Sequence, residues 1–511
     1  MTRSTTMVPG VPYVHTSAML IIFSMILAGC AVGPDYQTPL LAMPSHWSQT
    51  DATKSSRPPD LSRWWMRLRD PVLNDLIEEA VAGNLDVATA KARVREARAS
   101  YGQAVGALFP TVTNRDMVTR TNGSALAPSN GSPPAIGTSA QPGSGATYTL
   151  FQAGFDASWE LDLFGANRRA VEAAAYGIDI SEQSLDAALL TLIGDVASDY
   201  ARARGYQARI ALARRSAASQ EETTQITRDR FAAGTASAVD LANAIGQAAT
   251  TRSAIPTLQA SYVQTVHRLS VLTGRPPAAL QERLEKPAPV PRPRLPIPTG
   301  IPADVLLTRP DVRLAERRYA QYTARIGQAE AARYPSASLT GNIATAGTQL
   351  GDLGKSSSIS WSFGPTVTVP IFNAGKLRAA VEIAEAQRDQ HFVTYRLSIL
   401  TALKDVEDAL VALGQERLRA RALSTSVEAY REAASLSQSL YKAGSSSFLD
   451  VLTAQRSLYN AEDALIENQI LTAIDYIALN KALGGGWDGS VDTSRPETVD
   501  AMTGPRPVRP N

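Results

Sequence analysis

Residues 359–372 read Ile-Ser-Trp-Ser-Phe-Gly-Pro-Thr-Val-Thr-Val-Pro-Ile-Phe, with apolar side chains at the odd positions and mostly small polar residues or glycine between them. An alternation of period two gives an extended strand one apolar face and one polar face. A strand of about ten residues that is apolar outside and polar inside is typical of an outer-membrane barrel. A soluble sandwich with one wet face fits the pattern equally well, so this stretch alone leaves both folds open.

Three other segments carry strand patterns. The alternation recurs in residues 155–163 and 336–343, and more weakly in residues 111–120. Four strands cannot close a membrane barrel, because the smallest barrels have about eight and an open edge is not tolerated in lipid. Membrane-spanning strands would therefore be shared between chains. Two copies with eight strands and three copies with twelve both satisfy this arithmetic.

A very long helix is predicted directly after the strand at residues 359–372. Residues 375–442 contain no proline and one interior glycine, Gly414, which corresponds to roughly 100 Å of helix at about 1.5 Å per residue. Apolar residues recur three and four positions apart, as in coiled coils. They are Leu377, Val381, Ala384, Phe392, Tyr395, Ile399, Ala402, Val406, Leu410 and Leu413. A cytoskeletal coiled coil shares this pattern, but the strand pairs argue against it.

The chain contains two structural repeats. Several blocks of the first half return in the second half in the same order, which indicates a tandem repeat. At an offset of 225, Leu85-Asp86-Val87, Gly102-Gln103-Ala104 and Phe109-Pro110 match Pro310-Asp311-Val312, Gly327-Gln328-Ala329 and Tyr334-Pro335; at an offset of 210, Phe231–Gly234 and Leu272–Gly274 match Tyr441–Gly444 and Ala482–Gly484. Each half predicts a helix, two strands, and two long helices separated by a Gly/Ser/Thr-rich break, near residues 234–238 or 444–447.

These patterns divide the chain into nine segments. They are a lipoprotein signal peptide at 1–29, a lipidated N-terminal segment with the first helices at 30–108, the strands of repeat 1 with an exposed loop at 109–163, the long helices of repeat 1 at 164–286, a linker with six prolines at 287–299, the first helix of repeat 2 at 300–334, its strands at 335–372, its long helices at 373–487, and a flexible tail at 488–511.

The single cysteine, Cys30, closes the run Leu27-Ala28-Gly29-Cys30 behind an 11-residue apolar stretch. This stretch is too short to span a bilayer, which needs about 20 residues. The run resembles the lipobox of bacterial lipoproteins, and the resemblance implies cleavage before Cys30 and acylation of its thiol. An ordinary cleaved signal peptide with a chance cysteine is the alternative.

Composition argues against several other functions. One cysteine and four scattered histidines offer no metal-binding spacing, and no phosphate-binding loop or clustered catalytic set is present. We therefore expect no enzyme activity and no cofactor. With 50 basic and 48 acidic residues, the balanced charge argues against a nucleic-acid partner.

Several motifs along the chain are shared with one family. They are Gly33-Pro34-Asp35-Tyr36, Trp64-Trp65, Asp70-Pro71-Val72-Leu73, Pro110, Pro335, Leu163-Phe164-Gly165, Pro370-Ile371-Phe372, Ala454-Gln455-Arg456-Ser457-Leu458 and Ala482-Leu483-Gly484-Gly485-Gly486-Trp487. Over roughly residues 33–487 the chain resembles the outer-membrane efflux protein (TolC) family, and within it the NodT/OprM-like outer-membrane factor lipoproteins of tripartite efflux systems.

The resemblance implies a mixed α/β membrane protein that is lipid-anchored in the outer membrane as a homotrimer. Four strands per chain would form a shared 12-stranded β-barrel, and a long α-helical coiled-coil barrel would continue into the periplasm. It also implies docking with a periplasmic adaptor and an inner-membrane pump, expected to be of the RND type, and passive conduction of small molecules. A duct for type I protein secretion and a non-conducting, envelope-spanning structural lipoprotein are the alternatives.

Two repeat-related aspartates follow the helix breaks. Asp240 and Asp450 are offset by 210 residues, and three copies would gather six carboxylates at one closed periplasmic end. The resemblance implies that these residues ring the constriction. Like charges in a narrow mouth raise each other's pKa and attract cations. Helix capping alone is the simpler interpretation.

Two further gate residues come from the resemblance alone. Tyr441 and Arg456 match family positions that make closed-state hydrogen bonds and ion pairs between helices. Thr453 and Ser446 stand where relatives carry an aspartate and an arginine. The closing network is therefore expected to be smaller here, and Arg456 is expected to lack its usual partner or to be a solvated helix residue.

Overall fold

A computed structural model of the chain describes residues 31–39, 41–48, 61–122, 147–293, 308–489 and 491–494. The predicted signal peptide, Cys30 and most of the first-half loop, the proline-rich linker and the tail lie outside these residues and stay predictions. None of the described helices combines the length and the hydropathy that a membrane-crossing helix requires.

Long helices and four strands dominate the described part of the chain. The helices are α1 (Pro71–Gly83), α2 (Leu85–Gly106), α3 (Ala166–Ala232), α4 (Ala238–Leu272), α5 (Gln281–Glu285), α6 (Pro310–Ala331), α7 (Lys376–Lys442) and α8 (Phe448–Ala482), and the strands are β1 (Thr111–Asn122), β2 (Thr147–Leu161), β3 (Ser336–Gly347) and β4 (Ile359–Thr368). The predicted strands and the long helix after residue 375 are confirmed. Pro110 and Pro335 each lie four residues beyond the end of a helix, α2 and α6 respectively.

The chain forms two compact units. The first takes its described residues from 1–37, 98–177 and 319–390, and the second from 38–97, 178–318 and 391–511. Because α3 and α7 each run from one unit into the other, both repeats contribute to both units.

The first unit contains one antiparallel sheet in the order β1-β2-β3-β4. Its register aligns the alternation across strands. Phe155 lies opposite Ile343, which lies opposite Trp361, so these three side chains share one face. The next row, one residue along each strand, is polar and faces the other way; it is Asp156, Asn342 and Ser362. The apolar face is bare in a single chain, with Trp361 76% exposed.

The second unit has a core built from the motifs at the two ends of the chain. Trp65 stacks on Trp487 with ring centroids 6.1 Å apart, and Trp64 packs edge-on against Tyr476 at 5.9 Å. Asp70 caps α1 by accepting hydrogen bonds from the backbone of its first turn. The Trp-Trp, Asp-Pro and Gly-Gly-Gly-Trp motifs therefore meet in one structural core.

The predicted seam of α7 is buried as expected. Of its ten residues, seven are buried and three are half-buried. In the second unit, Tyr395 and Ile399 pack with Val312 of α6, and Val406 and Leu413 enter the main core. The three-and-four spacing therefore marks the packed side of this helix.

Candidate functional site: the tip of the helical hairpins

Both helix breaks in the second unit are tight turns of the same design. We call α3–α4 hairpin 1 and α7–α8 hairpin 2. The incoming helices end at Ala232 and Lys442, and the turns contain Gly234 with φ 73° and Gly444 with φ 81°. Glycine adopts this left-handed conformation without steric cost, and it is a frequent way to end a helix.

The two aspartates predicted for the gate both take part in helix N-terminal caps. Ser237 Oγ accepts a hydrogen bond from the Asp240 amide at 3.0 Å, while the Ser237 amide donates to the Asp240 carboxylate at 3.2 Å. Ser447 and Asp450 repeat these bonds at 3.3 and 3.1 Å. Each pair is a reciprocal capping box. The N-cap residues are therefore Ser237 and Ser447, whereas Asp240 and Asp450 complete the caps from the third helical position, each through its Oδ2 atom.

Within one protomer, the pKa of Asp450 is shifted in the opposite direction from the rise that crowded carboxylates would cause. Hydrogen bonds from the Ser447 hydroxyl and amide lower the pKa of Asp450 below its ordinary value. The side chain is exposed, and Asp240 is half-buried. Each chain thus delivers at least one ionised carboxylate to the tip at neutral pH.

Tyr441 lies between the two hairpins and is only 3% exposed. Its hydroxyl shares a hydrogen bond of 3.1 Å with Thr227 Oγ1 of α3. The Arg230 guanidinium, also of α3, stacks over its ring at 4.6 Å and donates from Nη1 to its carbonyl oxygen at 2.6 Å. We call Thr227, Arg230 and Tyr441 the tip lock, because these contacts fasten α7 to α3.

A small apolar cluster joins all four helices beside the lock. Its buried members are Ala244, Tyr441, Phe448 and Val451, and half-buried Ile226 and Leu452 pack against them. Asp240 precedes Ala244 by one helical turn, and Asp450 adjoins Val451 in sequence. The structure therefore brings Asp240, Asp450 and Tyr441 to the same end of the two hairpins.

Arg456 is not part of this arrangement. Its side chain is exposed, and it makes no hydrogen bond or ion pair with any residue that the structure describes. Thr453, one turn earlier, is exposed as well.

Sequence reasoning missed Thr227, Arg230 and Phe448. A signal for Phe448 existed in the repeat, since an aromatic residue there replaces Ala238 of the first half. Thr227 and Arg230 lie near the end of α3 among other polar and charged residues, and no periodicity in the sequence sets them apart.

Polar contacts join hairpins 1 and 2 further from the tip. Arg209 of α3 donates two hydrogen bonds to the Asp463 carboxylate of α8, at 2.7 and 2.9 Å. Nearer the tip, Gln455 donates to Thr223 at 2.9 Å. The half-buried Arg209–Asp463 fork is a geometrically specific pair, so it fixes the register of α3 against α8.

Comparison with known proteins identifies the family of this chain. The family model described as "Outer membrane efflux protein" matches residues 76–275 and 301–485. The chain belongs to this family. It is 35% identical to nodulation protein T of Rhizobium leguminosarum bv. trifolii, over 91% of this chain and 96% of that protein. It is equally similar, at 35%, to the solvent efflux pump outer membrane protein SrpC of Pseudomonas putida, over 91% and 97%.

The fold is also that of a solved channel. The outer-membrane channel OprN aligns with a TM-score of 0.79 and 33% identity, over 90% of this chain and all of that one. These findings confirm the predicted family, fold class, outer-membrane location and efflux-channel function. The family is one of transport proteins.

Proposed function

We propose that three copies of this chain form the outer-membrane duct of a tripartite efflux system, which conducts small molecules passively across the outer membrane. The sheet carries the proposal. It has one bare apolar face, and within the described residues β1 and β4 each pair on one side only. Unpaired strand edges are not tolerated in lipid, so β1 of one copy pairs with β4 of the next until twelve strands close.

An exposed stripe on α7 supports assembly. Its members lie on the side of the helix away from the buried seam, at multiples of three and four residues; they are Val393, Leu397, Leu400, Val411 and Leu418, between 42% and 63% exposed. Fully burying one such side chain contributes about 1.5–3 kcal/mol. A neighbouring copy that covers this stripe would give α7 a second packed side, as in a barrel of coiled helices.

The partners are inferred from the names of the relatives. A solvent efflux pump outer membrane protein is one component of a pump, so energy and substrate choice lie in other components. For this chain we propose a periplasmic adaptor and an inner-membrane pump of the RND type. Cys30 is proposed to carry the lipid that gives each copy an additional anchor in outer-membrane lipid.

The gate is proposed to lie at the hairpin tips. In a trimer, Asp240 and Asp450 contribute six carboxylates at one level, where they attract cations into the aperture. The tip lock around Tyr441 holds hairpin 2 against hairpin 1 in the closed state and separates on opening. Arg456 is proposed to act in the same gate, as an exposed cation available to a neighbouring copy.

The test is native mass spectrometry of the purified full chain, followed by planar-bilayer recording. The wild type is expected to have three times the chain mass and to conduct. Leu397→Glu/Leu400→Glu is expected to abolish the trimer, because it places charges in the covered stripe. Met66→Glu is the control, since Met66 is an exposed apolar residue outside the stripe, 51% accessible. A wild-type monomer, or a trimer that never conducts, would contradict the proposal.

A further inference from the structure

The N-terminal segment at residues 31–37 lies in a slot of the first unit. The Val32 amide donates to the Phe164 carbonyl at 3.1 Å. Ala31 lies so close to Gly165 that a Cβ atom on this glycine would come within 2.8 Å of the Ala31 Cα. The Leu-Phe-Gly motif before α3 therefore forms one wall of the slot.

The opposite wall is Gly327 of α6. A Cβ on Gly33 would lie 2.4 Å from the Gly327 Cα, and a Cβ on Gly327 would lie 2.8 Å from the Val32 carbonyl oxygen. Real Cβ atoms do not approach so closely. Backbone thus passes backbone at two glycines, and neither glycine can gain a side chain without moving the segment.

The third side of the slot is the guanidinium group of Arg169, which donates hydrogen bonds to the segment. Its side chain is 6% exposed. It donates from Nε to the Val32 carbonyl and from Nη2 to the Gly33 carbonyl, both at 3.2 Å. Nη2 also reaches the Asp35 carboxylate at 2.8 Å, and Nη1 reaches Glu172 at 2.7 Å. A buried guanidinium is tolerated only when paired and hydrogen-bonded, and three of these four contacts come from the segment.

Aromatic contacts extend the slot by one residue. Tyr36 packs edge-on against Tyr176 of α3 at 6.0 Å and against Tyr319 of α6 at 5.7 Å. Edge-to-face pairs at this distance are favourable beyond their buried area. The segment therefore contacts both α3 of repeat 1 and α6 of repeat 2.

The repeat supplies an internal comparison. Gly102 is the repeat equivalent of Gly327, yet a Cβ on Gly102 would meet nothing within 4 Å. Because α7 follows α3 at an offset of 210, Ala379 and Gly375 stand where repeat 1 has Arg169 and Gly165, and a Cβ on Gly375 would also meet nothing within 4 Å. Glycine in a helix interior costs about 1 kcal/mol relative to alanine. Position 327 requires glycine because the N-terminal segment passes directly over it, whereas packing common to both repeats does not require glycine there.

We propose that Gly165, Arg169 and Gly327 form a binding slot for the mature N-terminal segment, which joins the two repeats and fixes where the lipid-bearing end leaves the protein. One peptide unit separates Ala31 from the predicted lipidation site, a Cα distance of about 3.8 Å. The anchor would therefore emerge beside Gly165. The proposal rests on contacts within the first unit and is independent of the gate.

The test is hydrogen–deuterium exchange of the full-length protein, read by mass spectrometry. The Val32 amide is expected to be protected in the wild type and in the control Gly102→Ala. Gly327→Ala is expected to speed exchange at residues 31–36 at least tenfold while leaving β2–β3 pairing protected. Equal protection in Gly327→Ala and Gly102→Ala would overturn the proposal.

Arg169→Lys provides a second test in case Gly327→Ala fails to fold. Lysine keeps the charge but cannot reach the Val32, Gly33 and Asp35 oxygens together, since it lacks the planar fork. The same local loss of protection is expected. Retained protection at residues 31–36 would overturn the proposal. So would loss throughout the sheet, because the substitution would then act on the unit's fold and not on the segment.

Discussion

Hairpins 1 and 2 share a backbone and differ in the side chains at their tips. Both turn at a glycine and restart with a Ser-x-x-Asp capping box. Hairpin 2 supplies Tyr441, Phe448 and Val451 to the tip cluster, and hairpin 1 supplies Ala244 as its only fully buried member. Phe231, the equivalent of Tyr441, is 44% exposed. The turn geometry is therefore common to both repeats. The side chains at the tip differ, and only hairpin 2 places its aromatic residue, Tyr441, in the buried position of the tip lock.

The hairpins also differ in the sign of one ion pair. Glu221 of α3 pairs with Arg252 of α4, and at the equivalent positions Arg431 of α7 pairs with Glu462 of α8. Helix spacing places a bridge at the same height in both hairpins. The polarity is reversed, because the acidic residue lies on the first helix of hairpin 1 and on the second helix of hairpin 2. The repeat therefore conserves the position of the ion pair and not the order of its charges.

The largest effect is expected from removing the lock residue of hairpin 2. Tyr441→Ala deletes a buried ring, a change that typically costs about 3–5 kcal/mol, equivalent to roughly a hundredfold or more in an equilibrium. Single-channel open probability should rise strongly. Phe231→Ala is the matched control, because the equivalent ring is half exposed. Equal effects of the two substitutions would show that the hairpins do not differ as described.

A smaller effect is expected from Arg230→Ala, which removes the other side of the lock. A charge-assisted hydrogen bond contributes about 1.5–3 kcal/mol and a cation–π contact adds about 0.5–1 kcal/mol, so open probability should rise about thirtyfold at the lower end of these ranges. Arg228→Ala is the control, since Arg228 is exposed and bonds only to Gln225 among the contacts seen for it. If Arg228→Ala opened the channel as readily, the Arg230–Tyr441 contact would not be the lock.

The reversed ion pairs predict a modest, reversible change in stability. Glu221→Arg places two cations together and should destabilise the protein by about 1 kcal/mol or less, since both side chains are exposed. Adding Arg252→Glu recreates the polarity of hairpin 2 and should restore the denaturation midpoint. A double variant that is no more stable than the single one would mean that polarity matters in hairpin 1.

The smallest effect is expected from pH. Because the pKa of Asp450 lies below its ordinary value of 3.8, the stability from its cap is present above that value and is lost only as pH falls through the lowered pKa. Conductance should therefore be flat from pH 7 to pH 5 in the wild type and in Asp450→Asn. A titration within that range, present in the wild type and absent from Asp450→Asn, would show that crowding of carboxylates overrides the cap.

The periodicity of apolar residues and the tandem repeat of the chain made most of the fold predictable from the sequence. The alternation around Phe155, Ile343 and Trp361 predicted the strands and their apolar face. The three-and-four spacing of residues such as Tyr395 and Val406 predicted the packed side of α7. Both signals are periodic and local in sequence. Pairing between β2 and β3 joins residues far apart in sequence, such as Phe155 and Ile343, and neither the alternation nor the repeat predicted it.

The site was predictable only in part. Asp240 and Asp450 were found because a glycine break and a serine mark the helix start, a local signal. Thr227 and Arg230 lie in regular helix, and they come together with Tyr441 only because α7 packs against α3. The Arg169 slot was missed for the same reason, since it assembles from three segments far apart in sequence.

Single-channel recording of three proteins tests the central claim that an acidic aperture at the tips closes the duct. Asp240→Asn/Asp450→Asn removes the charge but keeps cap acceptors, whereas Ser237→Ala/Ser447→Ala removes the serine side of the cap but keeps the charge. We predict small, cation-preferring conductance in the wild type and in the serine variant, and larger, less selective conductance in the asparagine variant. Equal behaviour of the two variants would reduce the aspartates to helix caps, and folded trimers that never conduct would contradict the duct itself.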